Sequence, residues 1–392
     1  MPELRQRPPM SARTLSDQLP ERLIEAKAEG ERQLREPFSG IVAAVGRREG
    51  LFPLRRTGVG TERLVSAARH LLESLSLPER EEACFPIDSD AWRRWSNIHP
   101  FFMRHGLSLE GLVAQKRERA LALVAAALSE EGYEAARDVM RLNENLREIS
   151  GSDEEYGEWL YWLSLFGEPS ATEPWGFQLD GHHLIVNCFV LGDQLVVTPM
   201  FLGSEPVLAA SGKYKGTRVF AAEEHKALRL GQSLSAEQFA VAQLATATPG
   251  EIFTAAYRDN LVLDPQGIAY GELDDEQRER LVELVAVHVG RIRAGHSELR
   301  MAEVGEHLDE TRFAWMGGRG DDDPFYYRVH SPVLLIEFDH LAGIAFDNDE
   351  PTRNHVHSVV RTPNGNDYGA DLLAQHHALA HANGARRGRL SP

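Results

Sequence analysis

Residues 353 to 377 read RNHVHSVVRTPNGNDYGADLLAQHH, with four histidines, two arginines and two aspartates among Val, Leu, Ala and turn residues. In a strand, residues two apart project to one face at about 6.6 Å spacing. His355 and His357 therefore stand side by side, with Val359 and Arg361 further along the same face. Two imidazoles so placed can reach one metal ion, or they can line a solvated strand edge.

The preceding stretch VLLIEFDH puts Val333, Leu335, Glu337 and Asp339 on one face. If it pairs antiparallel with residues 354 to 361, Glu337 comes near the histidines. There it could ligate, orient an imidazole or act as a general base. It could equally pair with Arg328 or Arg361, the two cations available to fix an anionic substrate. Asp339 reads as the start of a turn. Asp367, in the turn chemistry of TPNGNDYG, is a further catalytic or ligand candidate, and Asp371 fits a helix N-cap.

His182 and His183 are a second imidazole source. Neighbours in a strand face opposite ways, so one of the two can join a given pocket, and alternation does not choose between them. Trp175 and Gln178 before this pair, and Asn187 after it, are candidates to line a binding pocket. The cluster Trp159, Tyr161, Trp162 and Phe166 reads as core.

These residues need a scaffold, and at 392 residues with 42% apolar and 26% charged content the chain can bury a large core. Helical spacing covers ERLIEAKAEGERQL and TERLVSAARHLLESL, then two more helices separated at Ser129, so the first 165 residues read as mostly helical. HHLIVNCFVLGDQLVVTPMFLG reads as a hairpin around Gly192-Asp193. Residues 220 to 260 and 274 to 300 return to helix, the second starting at Asp274. TRFAWM, FYYRVH, VLLIEFD and HVHSVVR follow as four strands of an antiparallel meander. The expected fold is α+β, a helical N-terminal half packed with a mainly antiparallel sheet. Residues 1–20 read as a mobile arm, 21–377 as a single large domain and 378–392 as a tail.

A net charge of −17 argues against nucleic acid as partner. No stretch reads as a membrane span or secretory signal, and Cys84 and Cys188 are too few for a disulfide framework, so a cytoplasmic protein is expected. Oligomeric state is not legible. P-loop, nucleophile-elbow and His-Glu-x-x-His motifs are absent.

The stretches WRRWSN, RHGLSLE, FGEPSATEPWGFQLDGHHLIVN, VVTPMFLG, FAWMGG, YYRVHSPVLLIEFD and NHVHSVVRTPNGNDYGADLLAQH, spanning about residues 92 to 376, resemble a bacterial family known as domain of unknown function 3500. The resemblance implies that His182, His183, His355, His357, Arg328, Glu337, Arg361, Asp367 and Asp371 occupy the family's polar motif positions. Phe177 departs from it where a second Trp is expected. The family name carries no activity. The residues themselves point to a metal-dependent hydrolase or lyase of a small polar or anionic molecule. A divalent ion, Zn or Fe, would be held by His355, His357 and His182 or His183, with Glu337 as base. A non-haem iron oxidoreductase and a non-catalytic small-molecule-binding protein are the alternatives.

Overall fold

The computed structural model describes residues 3–6, 10–11, 21–98 and 104–388. In chain order the helices are α1 (Glu21–Arg35), α2 (Glu62–Ser74), α3 (Leu77–Ala83), α4 (Ala114–Ala127), α5 (Glu130–Ser150), α6 (Ala221–Ser233), α7 (Ala236–Ala242), α8 (Asp275–Val289), α9 (His296–Gly305) and α10 (Ala370–Gly388). The strands are β1 (Cys84–Phe85), β2 (Leu107–Ser108), β3 (Tyr161–Phe166), β4 (Trp175–Gly181), β5 (Leu184–Leu191), β6 (Gln194–Val196), β7 (Met200–Ser204), β8 (Gln243–Ala245), β9 (Ile268–Ala269), β10 (Arg312–Gly317), β11 (Phe325–His330), β12 (Leu335–His340) and β13 (Val356–Arg361).

The fold is α+β, with the helices weighted to the N-terminal half and one large sheet to the C-terminal half. Helix starts follow their capping chemistry. The Ser129 hydroxyl accepts from Gly132 N at the start of α5, and Asp274 accepts from Gln277 N at the start of α8. The expected meander is present: β10, β11, β12 and β13 pair antiparallel in sequence order. The sheet continues from β13 through β7 to β5, β4, β3 and β1, so β7, antiparallel to both neighbours, joins two meanders.

Alternation divides this sheet into two unlike faces. One presents Tyr327, Val329, Ile336, Phe338, Val356, Val360, Met200 and Leu202 to the larger core, where Leu71 of α2, Leu123 of α4, Leu142 of α5, Leu230 of α6 and Leu284 of α8 meet them. The other carries Tyr326, Arg328, Glu337, Asp339, His357, Val359 and Arg361, all buried. It is covered by Trp95, residues 252–257 and Tyr368 around a smaller core. A buried face this polar must satisfy its groups from the covering segments.

Three expectations change. The sheet takes in β3, inside the aromatic stretch read as core, together with the short β1 and β2 before it, and along β3 Tyr161, Leu163 and Leu165 face the larger core while Trp162, Ser164 and Phe166 face away. Residues 246–260 are not helical: Pro249-Gly250 breaks the pattern after α7 and β8, and the segment runs over the polar face. Of the expected arm and tail, residues 1–2, 7–9, 12–20 and 389–392 lie outside the described residues, and residues 4–5 pair with the domain. Leu4 bridges Phe346, Arg5 N donates to Ala345 O at 2.8 Å, and α10 carries the chain on to Gly388. Among the described residues, no helix is long and apolar enough to cross a membrane.

Candidate metal centre

His357 lies in β13 and His355 just before it, both on the polar face, as their spacing requires. His183 reaches them from another part of the sheet. His182 and His183 form the two-residue connection between β4 and β5, whose flanking pair is Gly181 with Leu184. The alternation rule used to separate the two histidines does not apply inside a turn, and His183 takes a left-handed φ of 61°.

Strand β7 lies between this turn and β13. Gly203 N donates to His183 O at 2.7 Å, and Gly203 is the register partner of His357. A β-carbon on Gly203 would lie 3.0 Å from Cδ2 of both His183 and His357 and 2.9 Å from Val356 O. The missing side chain is what lets the two rings approach across an intervening strand.

Ring centroids stand 5.3 Å apart for His183 and His355, 5.1 Å for His183 and His357, and 4.9 Å for His355 and His357. One nitrogen from each ring lies within 4.8 Å of the others. Nitrogens around a tetrahedral ion at about 2.0–2.1 Å sit roughly 3.4 Å apart, so modest side-chain rotation closes the set.

The tautomers suit ligation. His355 Nδ1 lies 2.7 Å from Ala342 O and His357 Nδ1 lies 2.8 Å from Glu251 Oε1. Both oxygens accept, so both Nδ1 atoms donate, which turns the lone pairs of the Nε2 atoms inward. Those two Nε2 atoms are buried without a hydrogen-bond partner. Burial pushes the pKa of His355 below its ordinary value despite the nearby Glu205 carboxylate, which favours the neutral, ligating form. Burial raises the Glu251 carboxyl, but the His357 imidazole and Ile252 N outweigh it and hold the group below the usual carboxylate range. Glu205 accepts from Ile344, Ala345 and Phe346 N at 2.9 to 3.2 Å and so fixes the loop that presents Ala342 O.

The three histidines open on a cavity of about 300 Å³, also lined by Asn97, Ile98, Leu23, Met10, Tyr156, Leu341 and Ile344. His182 lines it too, stacked on His183 at 3.9 Å with its Nδ1 2.9 Å from Asn143 Oδ1, and stands outside the three-nitrogen group. Asp339, opposite His357 in the ladder, has no hydrogen bond to either carboxyl oxygen. Burial, then Glu251 and Glu337, push it up to about 9, so it is a neutral acid at pH 7.

The other candidates lie away from this cavity, engaged in holding the chain. Glu337 accepts from Phe253 N and Thr254 N, each at 2.8 Å, Thr254 Oγ1 at 2.5 Å and Tyr326 OH at 2.7 Å. With both oxygens filled, it anchors the 253–254 segment and is not placed to serve as base. Arg361 pairs with Asp259 at 2.9 Å and Asp367 at 3.1 Å and donates to Thr254 O and Ala255 O. Asp367 also accepts from Thr362 N. Arg328 donates to Gln266 and lies over the Phe253 ring. Gln178 bonds Trp92 O and Asn187, Asn187 bonds Pro199 O, and Trp175 is core with its indole N–H on Ser170 O.

Sequence reasoning missed Glu251 and Glu205, and it reads Asn97, in WRRWSNIHPFFMRHG, as packing and surface charge. Glu251 follows the turn Pro249-Gly250, which marks a loop but names no partner for it.

No curated protein and no solved structure matches the chain. A family model described as protein of unknown function (DUF3500) matches residues 57–370, a span that holds all three clustered histidines, Glu205 and Glu251. With four-fifths of its length inside that match, the chain belongs to the DUF3500 family.

Proposed function

We propose that the protein is a metal-dependent enzyme, a hydrolase or lyase acting on a small molecule through a water on a divalent ion held by His183, His355 and His357. One observation carries this reading: two buried Nε2 atoms, each in a ring held by the hydrogen bond that its Nδ1 donates, have no partner beside a third buried imidazole. Leaving buried polar atoms unpaired costs about 1–3 kcal/mol each, a cost that an ion removes. Three imidazoles leave a fourth tetrahedral position for water or substrate. The all-nitrogen set favours zinc over iron, whose oxygenases use two histidines and a carboxylate. Glu251, bonded to the His357 ring at the cavity, orients that ligand and is the carboxylate closest to the chemistry. A cytoplasmic setting belongs to the same proposal, supported by two unpaired cysteines.

Elemental analysis of the purified full-length protein tests the reading against His183→Ala and the double variant His355→Ala, His357→Ala. The expected result is one equivalent of zinc in the wild type, lost in both variants. Equal metal content in all three proteins refutes the site. Stoichiometric iron with oxygen uptake would replace hydrolysis with oxidoreductase chemistry.

A further inference from the structure

Asn97 is 2% exposed, yet both its side-chain oxygen and its side-chain nitrogen lack a hydrogen-bond partner. It lines the same cavity as the three histidines, and its backbone oxygen accepts from His183 N at 3.3 Å. Oxygen and nitrogen of an amide are assigned from their partners. Here the assignment does not matter, since one donor group and one acceptor group are orphaned either way.

The rest of the lining narrows the ligand. Met10, Leu23, Ile98, Leu341 and Ile344 make the wall apolar. Among the described lining residues there is no Lys or Arg to fix an anion away from the ion, and two carboxylates, Glu205 and Glu251, share the lining. Arg328 and Arg361, the cations that would have fixed one, are committed elsewhere. A cavity of about 300 Å³ is at the small end for ligand sites.

We infer that this site takes a small, neutral, largely apolar molecule bearing an amide or lactam, whose adjacent N–H and C=O pair with the side chain of Asn97. A primary amide or a lactam is a neutral group whose N–H and C=O lie on the same side, which complements a carboxamide with two good hydrogen bonds. A ligand lacking either partner leaves half of Asn97 buried and unpaired, the situation in which sites discriminate most strongly. This inference rests on the metal-site reading only in placing the substrate beside the histidines.

Calorimetric titration of the zinc-loaded and the metal-free full-length protein with benzamide, acetophenone and benzoate provides the test. Benzamide is expected to bind at least tenfold more tightly than acetophenone, which has no N–H, and, in the metal-free protein, where no ion holds a carboxylate, than benzoate, which is charged. Asn97→Leu should weaken benzamide tenfold or more with zinc content unchanged. Asn97→Asp, closer in shape, should weaken benzamide similarly and covers the case in which the leucine variant does not fold. Acetophenone binding as tightly as benzamide, benzoate doing so in the metal-free protein, no benzamide binding to the wild type, or unchanged benzamide affinity in a folded Asn97 variant overturns the inference. The same titration on the His355→Ala, His357→Ala protein separates the two claims. Asn97-dependent benzamide binding that persists there, in a protein whose metal content equals the wild type's, refutes the metal site and leaves the amide site standing.

Discussion

Replacing Gly203 by alanine adds one methyl group at the point where His183 and His357 converge. The new carbon would meet both Cδ2 atoms at 3.0 Å and Val356 O at 2.9 Å. Each contact is roughly 0.5 Å or more inside the 3.5–4.0 Å optimum for non-bonded carbon. The Val356 carbonyl belongs to the β7–β13 ladder and cannot swing aside, so the rings must yield. Overpacking of this kind costs about 1–3 kcal/mol of stability. Ligand distances tolerate only about 0.2 Å of error, so pushing two of three ligands apart should lower zinc affinity by about 10–100-fold, as disturbing a ligand's supporting contacts does. Competition against a chromophoric chelator measures the affinity, and urea unfolding of the metal-free protein measures the packing cost. Gly305→Ala is the control, because a β-carbon there meets nothing within 4 Å. If Gly203→Ala binds zinc as tightly as the wild type, the claim that this glycine brings the rings together is refuted.

Glu251→Leu removes the acceptor that orients His357 and should weaken zinc binding by about 10–100-fold, while Glu251→Gln, which keeps an acceptor oxygen, loses less; chelator competition ranks the two. Glu337→Leu leaves two backbone N–H groups and two hydroxyls unpaired under the 253–254 segment and should cost about 3–5 kcal/mol in urea unfolding without lowering metal content per folded molecule; selective loss of metal with unchanged stability would return Glu337 to the site. Burial, with Arg94, Arg291 and Arg328 adding repulsion in turn, pushes His105 down to about 4, His288 well below its ordinary value and His330 down to about 3. All three are neutral when folded but protonate when unfolded below about pH 6.5, so their contribution is fully present above that pH and is lost as pH falls toward the folded values. Each should remove about 1.4 kcal/mol per pH unit, while Asp339, protonated when folded and ionised when unfolded, gains as much over the same range. His330→Gln isolates one histidine, and in urea unfolding of the metal-free proteins its stability relative to the wild type should improve as pH falls from 7 to 5, whereas a constant difference would contradict the buried neutral state.

The sequence showed the parts of the site that depend on local period and hid those that depend on turns and coverage. Alternation alone places His355, His357 and Arg361 on one strand face and brings Glu337 to the neighbouring strand, and the β10–β13 meander follows from four β-rich runs separated by turn residues. Strand period could not choose between His182 and His183, because both lie in a turn, where backbone conformation decides direction. It could not show that Gly203 is the gap between two of the clustered histidines, since that follows from β7 lying between β5 and β13, a long-range order. Nor could it separate a chemical carboxylate from a structural one. Glu337, Asp367 and Arg361 look like catalytic groups because they are polar residues in apolar surroundings, yet a polar sheet face buried under a loop needs just such residues to satisfy the loop's backbone. That burden falls on residues 253–255, which supply four of the groups bonded to Glu337 and Arg361. Among the groups that such pairing leaves unsatisfied are the Nε2 atoms of His355 and His357 and the amide of Asn97, the ones the proposed chemistry would use.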